Sequence, residues 1–255
     1  MSTDTLQSDL LGCLKALRLP TIRQAFAQQA DLARREGQSY EQYLLDLLQQ
    51  ECEVRQHNRT LRFLRESKLP LEKSLEMFDQ KRLPPRLNAL VSTLVEGTFL
   101  DRTENVLAFG PPGSGKTHLL CGIAQALIYQ GRRVLFRPTN LLVQELLIAK
   151  RELSLSRLLK RLAKYDALLL DDIGYVQHSR EEMEVLFALL AHRYERGSLM
   201  ITSNLPFSGW EAIFKDPTTT AAAIDRLVHH CIILEMNLKS YRLEHSKKHK
   251  QTDPH

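Results

Sequence analysis

Gly110-Pro111-Pro112-Gly113-Ser114-Gly115-Lys116-Thr117 fits G-x-x-x-x-G-K-[ST], a spacing suited to holding a polyphosphate. Glycines let backbone N–H groups close around phosphate oxygens, and a helix opening at the end of the loop adds its positive terminus. Lys116 is then placed to reach the β- and γ-phosphates of ATP, and the Thr117 hydroxyl to ligate Mg²⁺. With His118, these nine residues are the candidate nucleotide contacts. A second constellation is Asp171-Asp172, which ends the apolar run 167–170. Open α/β sheets bind ligands at the carboxyl ends of their strands, so the pair reads as a Walker B element. Asp171 would hold Mg²⁺ and Asp172 would polarise the attacking water. Two adjacent aspartates also suit a helix cap, but the upstream P-loop favours the catalytic reading. Asn204, closing the polar end of the run 199–204, is a candidate to orient that water, or a simple turn-forming residue.

These residues need strands and helices in alternation. The apolar run 106–109 leads into the P-loop and a helical pattern leaves it from His118, which is the context the motif requires. Further strands are expected over 133–137, 167–170, 199–204 and 231–235, with helices at 140–150, 155–164, 180–196 and 220–229 between them. This is an α/β domain with a central parallel sheet covered on both faces.

A small all-α domain precedes it. Leu6, Leu10, Leu14 and Leu17 recur at near-helical spacing, as do Tyr43, Leu44, Leu47 and Leu48. Pro20 and Gly37-Gln38-Ser39 divide the region into three helices, with Ser39 as an N-cap and Gln42 three residues on as in a capping box. Pro70, Pro84 and Pro85 break the pattern. The expected organisation is therefore a helical domain over 1–67, a linker over 68–85, the ATPase domain over 86–245 and a basic, disordered tail over 246–255.

The chain has 255 residues, 43% of them hydrophobic, enough to bury a full core. No apolar run approaches the ~20 residues of a spanning helix, so no membrane association is expected. Residues 1–10 also lack the charged-then-apolar order of a secretory signal. Cys13, Cys52, Cys121 and Cys231 show no paired spacing, which favours a reducing cytoplasm. The formal charge of +5 permits a polyanionic partner without requiring one.

Several stretches together resemble the IstB-type transposition helper ATPases, AAA+ proteins akin to the DnaC helicase loaders. They are GPPGSGKTHL from Gly110, LLLDDIGY from Leu168, HRYERG from His192, ITSNLPF from Ile201, AIDRLVHH from Ala223 and Ser240-Tyr241-Arg242. The resemblance implies an ATPase that binds duplex DNA with little sequence preference, forms ATP- and DNA-promoted homo-oligomers, and stimulates a transposase. It assigns Asn204 to sensor 1, Arg226 to the arginine finger offered to a neighbouring subunit, and Arg242 to a sensor-2-like role. Two departures stand out: most AAA+ proteins have Asp-Glu where this chain has Asp171-Asp172, and a glycine is more usual in the stretch Asn237-Leu238-Lys239 before Ser240.

Candidate DNA contacts are Arg55, Arg59 and Arg62, spaced to share one side of the third helix, and Lys150, Arg157, Lys160, Arg161 and Lys164. Either group also reads as an ordinary solvated face. Two other functions share the core motif: a replicative helicase loader, and a small-molecule kinase for which no acceptor site or lid is assignable.

Overall fold

The computed structural model describes residues 3–174, 179–210, 217–238 and 240–241. Two compact units divide between Arg62 and Phe63. Among the described residues no helix is long and apolar enough to cross a membrane.

The first unit contains α1 (Thr3–Ala16), α2 (Pro20–Glu36) and most of α3 (Tyr40–Ser67). Pro20 opens α2 where its missing N–H costs nothing, and Gly37 ends it in a left-handed conformation, its N–H bonded to the Ala33 carbonyl. The Gln42 N–H donates to Ser39 Oγ at 3.2 Å, giving half of the expected capping box, while the Gln42 side chain donates to Asp46 at 2.6 Å. Leu14, Ile22 and Leu47 form a small core.

Beside that core Glu51 is 2% exposed. Its Oε2 accepts from the N–H groups of Thr21 (2.8 Å) and Ile22 (3.1 Å), and its Oε1 from Arg55 Nε (2.8 Å). Burial pushes the carboxyl up, but the bonds from Arg55, Ile22 and Thr21 outweigh it and hold the pKa below the ordinary carboxylate value. Glu51 thus caps α2, whose own N-cap residue, Leu19, supplies no side-chain bond.

The second unit begins with the end of α3 and continues through α4 (Pro85–Glu96), α5 (Thr98–Asp101), β1 (Asn105–Phe109), α6 (Lys116–Tyr129), β2 (Val134–Pro138), α7 (Thr139–Arg151), α8 (Leu155–Leu162), β3 (Ala167–Asp171), α9 (Arg180–Arg193), β4 (Ser198–Ser203), α10 (Pro217–Val228) and β5 (Cys231–Glu235). The strands pair in parallel in the order β2-β3-β4-β1-β5. Side chains alternate across the sheet. Leu168 and Leu170 join the core beneath α7, α8 and α9, whereas Ala167 and Leu169 join the one beneath α4 and α6. Both faces are therefore apolar, as a parallel sheet flanked by helices demands.

Because all five strands run the same way, their carboxyl ends share one edge, and β3-β4-β1 sets the Asp171 strand, the Asn204 strand and the P-loop strand side by side. Residues 68–85, expected as a linker, carry Leu69, Leu75, Phe78 and Leu83 into the core that packs on α6.

The opposite edge is tied by Arg193, 1% exposed at the end of α9. Its guanidinium donates to the carbonyls of Leu162 (3.3 Å), Tyr165 (2.8 Å), Asp166 (3.0 Å) and Ser198 (2.9 Å). Burial pulls its pKa down to about 10 against the opposing pull of Asp166, which leaves the side chain charged at neutral pH. A methionine there would leave four carbonyls without this donor. Arg193→Met is expected to destabilise the second unit by about 2–4 kcal/mol. Urea unfolding followed through the fluorescence of Trp210, the single tryptophan and buried in the same unit, should show an earlier midpoint; an unchanged midpoint would refute the tie.

Candidate functional site

The P-loop leaves β1 at Phe109 and closes at the start of α6. Gly113 and Gly115 hold φ of +81° and +95°, values that side chains with a Cβ disfavour. A Cβ on Gly113 would meet Ser240 Oγ at 2.2 Å, and one on Gly115 would meet Phe78 at 2.9 Å, so the loop is pressed between two other segments. Lys116 is 7% exposed, and its Nζ donates to the carbonyls of Gly110 (2.7 Å) and Pro111 (3.0 Å). Ser114 Oγ is buried and makes no hydrogen bond among the described residues. A cradle of left-handed glycines at a helix start, with a buried cation and an orphaned hydroxyl, fits a polyphosphate.

Asp171 is the junction. Its Oδ1 accepts from Thr117 Oγ1 at 2.7 Å and from Thr202 Oγ1 at 2.6 Å, and its backbone carbonyl accepts from Thr139 Oγ1 at 2.9 Å. Thr117 and Asp171 are thus in the positions where a P-loop protein holds Mg²⁺ with one hydroxyl, one carboxylate and phosphate oxygens. Thr202 Oγ1 also accepts from the Asp172 N–H at 2.8 Å, which helps to hold Asp172 at φ +64°. The Asp172 side chain reaches solvent, yet its carboxyl lies above the ordinary pKa: partial burial contributes most, the Asp171 charge adds to it, and Lys116 opposes both.

Asn204 follows β4, between the Asp171 and P-loop strands, and lines a cleft with Gly110 and Pro111. Its Oδ1 is buried without a hydrogen bond among the described residues. Pro112 and His118 complete the stretch. His118 bonds the Ser74 carbonyl at 2.9 Å and meets the Phe78 ring edge-on at 5.3 Å.

Residues 69–83 form a strap over α6. Gln125 Nε2 donates to the carbonyls of Pro70, Leu71 and Lys73, and a Cβ on Gly122 would lie 2.8 Å from Leu75. With the P-loop and the chain after β5, the strap encloses a cavity of about 380 Å³. Met77, Phe78, Leu238 and Tyr241 give it an apolar, aromatic wall next to the phosphate cradle, where a nucleobase can stack. Arg82 lies over the Tyr241 ring at 5.2 Å, and the Tyr241 N–H donates to the Gly113 carbonyl at 3.0 Å. Neither this wall nor Thr202 emerged as a site from motif reading, although Thr202 lies within the quoted ITSNLPF stretch.

Arg226 is elsewhere. Its guanidinium covers the Phe187 ring at 4.9 Å and donates to the Ala222 carbonyl at 2.8 Å. It shares a recess with Thr103, Asn105, Gly197 and Leu199, at the amino-terminal ends of β1 and β4. A five-residue strand spans roughly 16 Å, so Arg226 lies at the far edge of the sheet from its own P-loop. Arg242 and the tail over 246–255 lie outside the described residues.

The basic residues divide as well. Arg55 is engaged by Glu51 and by the Arg18 carbonyl, and Lys150 by Glu184 at 2.7 Å. Arg59 and Arg62 are exposed on α3. Arg157, Lys160, Arg161 and Lys164 are exposed along and just beyond α8, opposite its buried Leu158, Leu159 and Leu162. No carboxylate pairs with these four among the described residues.

The family described as IstB-like ATP binding protein matches residues 12–249. The chain belongs to that family. An insertion-sequence ATP-binding protein of Sinorhizobium fredii is 46% identical over 94% of this chain and 81% of its own length. The ATP-binding protein of insertion sequence IS21 from Pseudomonas aeruginosa is 38% identical over 94% of this chain and 89% of its own. Among solved structures, the DnaC helicase loader matches with a TM-score of 0.52 at 20% identity, over 60% of this chain and 89% of that one. DnaA from Aquifex aeolicus bound to AMPPCP matches with a TM-score of 0.55 at 18% identity, over 73% and 57%. At such identities these two structures speak to the fold, which is that of the AAA+ proteins. The IstB-like family thus accounts for an ATP-binding P-loop on an AAA+ sheet.

Asp172 yields a test with opposite signs. Its pKa is raised in the folded state, so the ionised carboxylate costs stability above that pKa, and the cost is relieved as pH falls through it. Asp172→Asn should therefore raise the melting temperature of the nucleotide-free protein at neutral pH and flatten its pH dependence on the acid side, while lowering ATP turnover. A variant that melts earlier at neutral pH would contradict the assigned environment.

Proposed function

We propose that this chain is an ATP-hydrolysing AAA+ regulator of insertion-sequence transposition. Loaded with ATP, it assembles as a homo-oligomer on duplex DNA with little sequence preference and in that form recruits and stimulates the partner transposase. The observation that carries this reading is the 46% identity, over 94% of the chain, to a protein named for binding ATP within an insertion sequence. A helicase-loader role has only a fold likeness at 20% identity behind it.

In this scheme Lys116 and the loop N–H groups hold the β- and γ-phosphates, and Thr117 and Asp171 hold Mg²⁺. The metal, when bound, offsets the negative charge that develops on the phosphates. Asp172, its backbone N–H held by the Thr202 hydroxyl, accepts a proton from the attacking water, and Asn204 orients that water with its buried amide oxygen. Asp172 is one methylene shorter than the usual glutamate, so this step is slow. Arg226, at the far edge of its own sheet, serves the γ-phosphate of a neighbouring copy, which makes turnover depend on assembly. Arg242 serves as the sensor-2-like contact. Arg59, Arg62, Arg157, Lys160, Arg161 and Lys164 meet DNA phosphates and give affinity that falls with salt.

ATP should convert the wild-type chain to an oligomer on linear duplex in light scattering, and Lys116→Ala should fail to assemble. Arg226→Ala should bind ATP normally and hydrolyse it about 10³-fold more slowly. Mixing Arg226→Ala with Asp171→Ala should recover part of the rate, since one supplies an intact phosphate site and the other an intact finger. Recovery at no ratio would refute action in trans, and a wild type that stays monomeric with ATP and DNA would refute the assembly.

A further inference from the structure

Lys116, Thr117 and His118 are consecutive at the start of α6, and an α-helix turns by about 100° per residue, so their side chains leave it in three directions. Lys116 Nζ reaches the Gly110 and Pro111 carbonyls, and Thr117 Oγ1 reaches Asp171. His118 reaches the strap instead. Its Nε2 lies 2.9 Å from the Ser74 carbonyl and its ring meets Phe78 edge-on. A carbonyl can only accept, so Nε2–H is the donor of this bond. Although the motif groups His118 with the phosphate contacts, its imidazole is engaged beside the base wall.

The same side of α6 meets the strap at four places. Gly115, His118, Gly122 and Gln125 are spaced three, four and three residues apart, which aligns them on one face of the helix. Gln125 holds the carbonyls of Pro70, Leu71 and Lys73; a Cβ on Gly122 would lie 2.8 Å from Leu75, and one on Gly115 would lie 2.9 Å from Phe78. The strap thus runs down α6 toward the P-loop and arrives there with Phe78. Ser74 is the pivot of its last turn. While His118 holds the Ser74 carbonyl, the Ser74 hydroxyl accepts from the Met77 N–H at 3.3 Å. Met77 and Phe78 both line the cavity beside the phosphate cradle, so the Ser74 turn sets where the wall stands.

We propose that His118 is a positioning residue for nucleobase recognition: its bond to Ser74 holds Met77 and Phe78 at the distance a purine needs, and so sets the preference for purine over pyrimidine nucleoside triphosphates. The proposal rests on the reading of the strap cavity as a base compartment and adds the side chain that governs its selectivity. A purine offers the wall a larger aromatic face than a pyrimidine does, so it gains more from a fixed wall and loses more when that wall slackens.

Two substitutions separate the bond from the ring. His118→Phe keeps an aromatic ring beside Phe78 and removes the donor, whereas His118→Gln removes the ring and keeps an N–H at similar reach. In calorimetric titrations with Mg·ATP and Mg·UTP, wild type should prefer ATP by about tenfold or more. His118→Phe should cut that preference to about threefold or less, and His118→Gln should stay within about twofold of wild type. Amide exchange over residues 74–78 of the nucleotide-free protein should quicken in His118→Phe and match wild type in His118→Gln. A His118→Phe protein that keeps the wild-type preference overturns the proposal. So does His118→Gln losing as much as His118→Phe, since the bond would then not be the device. A lost preference with unchanged exchange overturns it too, because His118 would then touch the base directly. If wild type binds ATP and UTP equally, the base-compartment reading itself fails, an outcome separate from these.

Discussion

One carboxylate oxygen holds the nucleotide site in register. Asp171 Oδ1 accepts from Thr117 on α6 and from Thr202 on β4 at once. Three elements, α6, β3 and β4, are thereby joined at one atom. Thr202 passes the constraint on to the Asp172 backbone. The arrangement depends on strand order: β4 lies between β3 and β1, so its Thr202 hydroxyl reaches the Asp171 carboxylate while the P-loop departs from the strand on its other side. Without the parallel sheet and its two apolar faces, this edge would not gather the groups.

The second constraint is the strap over 69–83, which gives the phosphate cradle a base-sized compartment. It is latched by a side chain that answers three carbonyls, Gln125, and by a close approach permitted at Gly122. Both lie on α6, whose first turn carries Lys116 and Thr117. The same helix therefore carries the candidate phosphate contacts at its start and holds the strap along its side.

What is local is legible in the sequence. The P-loop and Asp171-Asp172 are legible because their chemistry lies in residue types at fixed spacing, and the five strands because each is a short apolar run bounded by turns. Thr202 was not legible as a site residue, since a threonine in a strand acquires its role from which strands flank it. The strap has no hydrophobic period and three prolines near it, which reads as a linker; its contacts are tertiary. Arg193 looks like an ordinary cation at a helix end until the fold brings four carbonyls around it. Arg55 likewise reads as one of an arginine stripe, because only the packed helices reveal a buried Glu51 beneath it.

The central claim is that a triphosphate and its metal lodge against Asp171, the P-loop and the strap. Calorimetric titration of the protein with ATP, with and without Mg²⁺, tests it most directly. One site per chain is expected, with affinity falling when Mg²⁺ is withheld and nearly lost when triphosphate alone replaces the nucleotide, because the Phe78 and Tyr241 wall then has nothing to hold. No heat with Mg·ATP, or equal affinity for ATP and bare triphosphate, would contradict this account of the site.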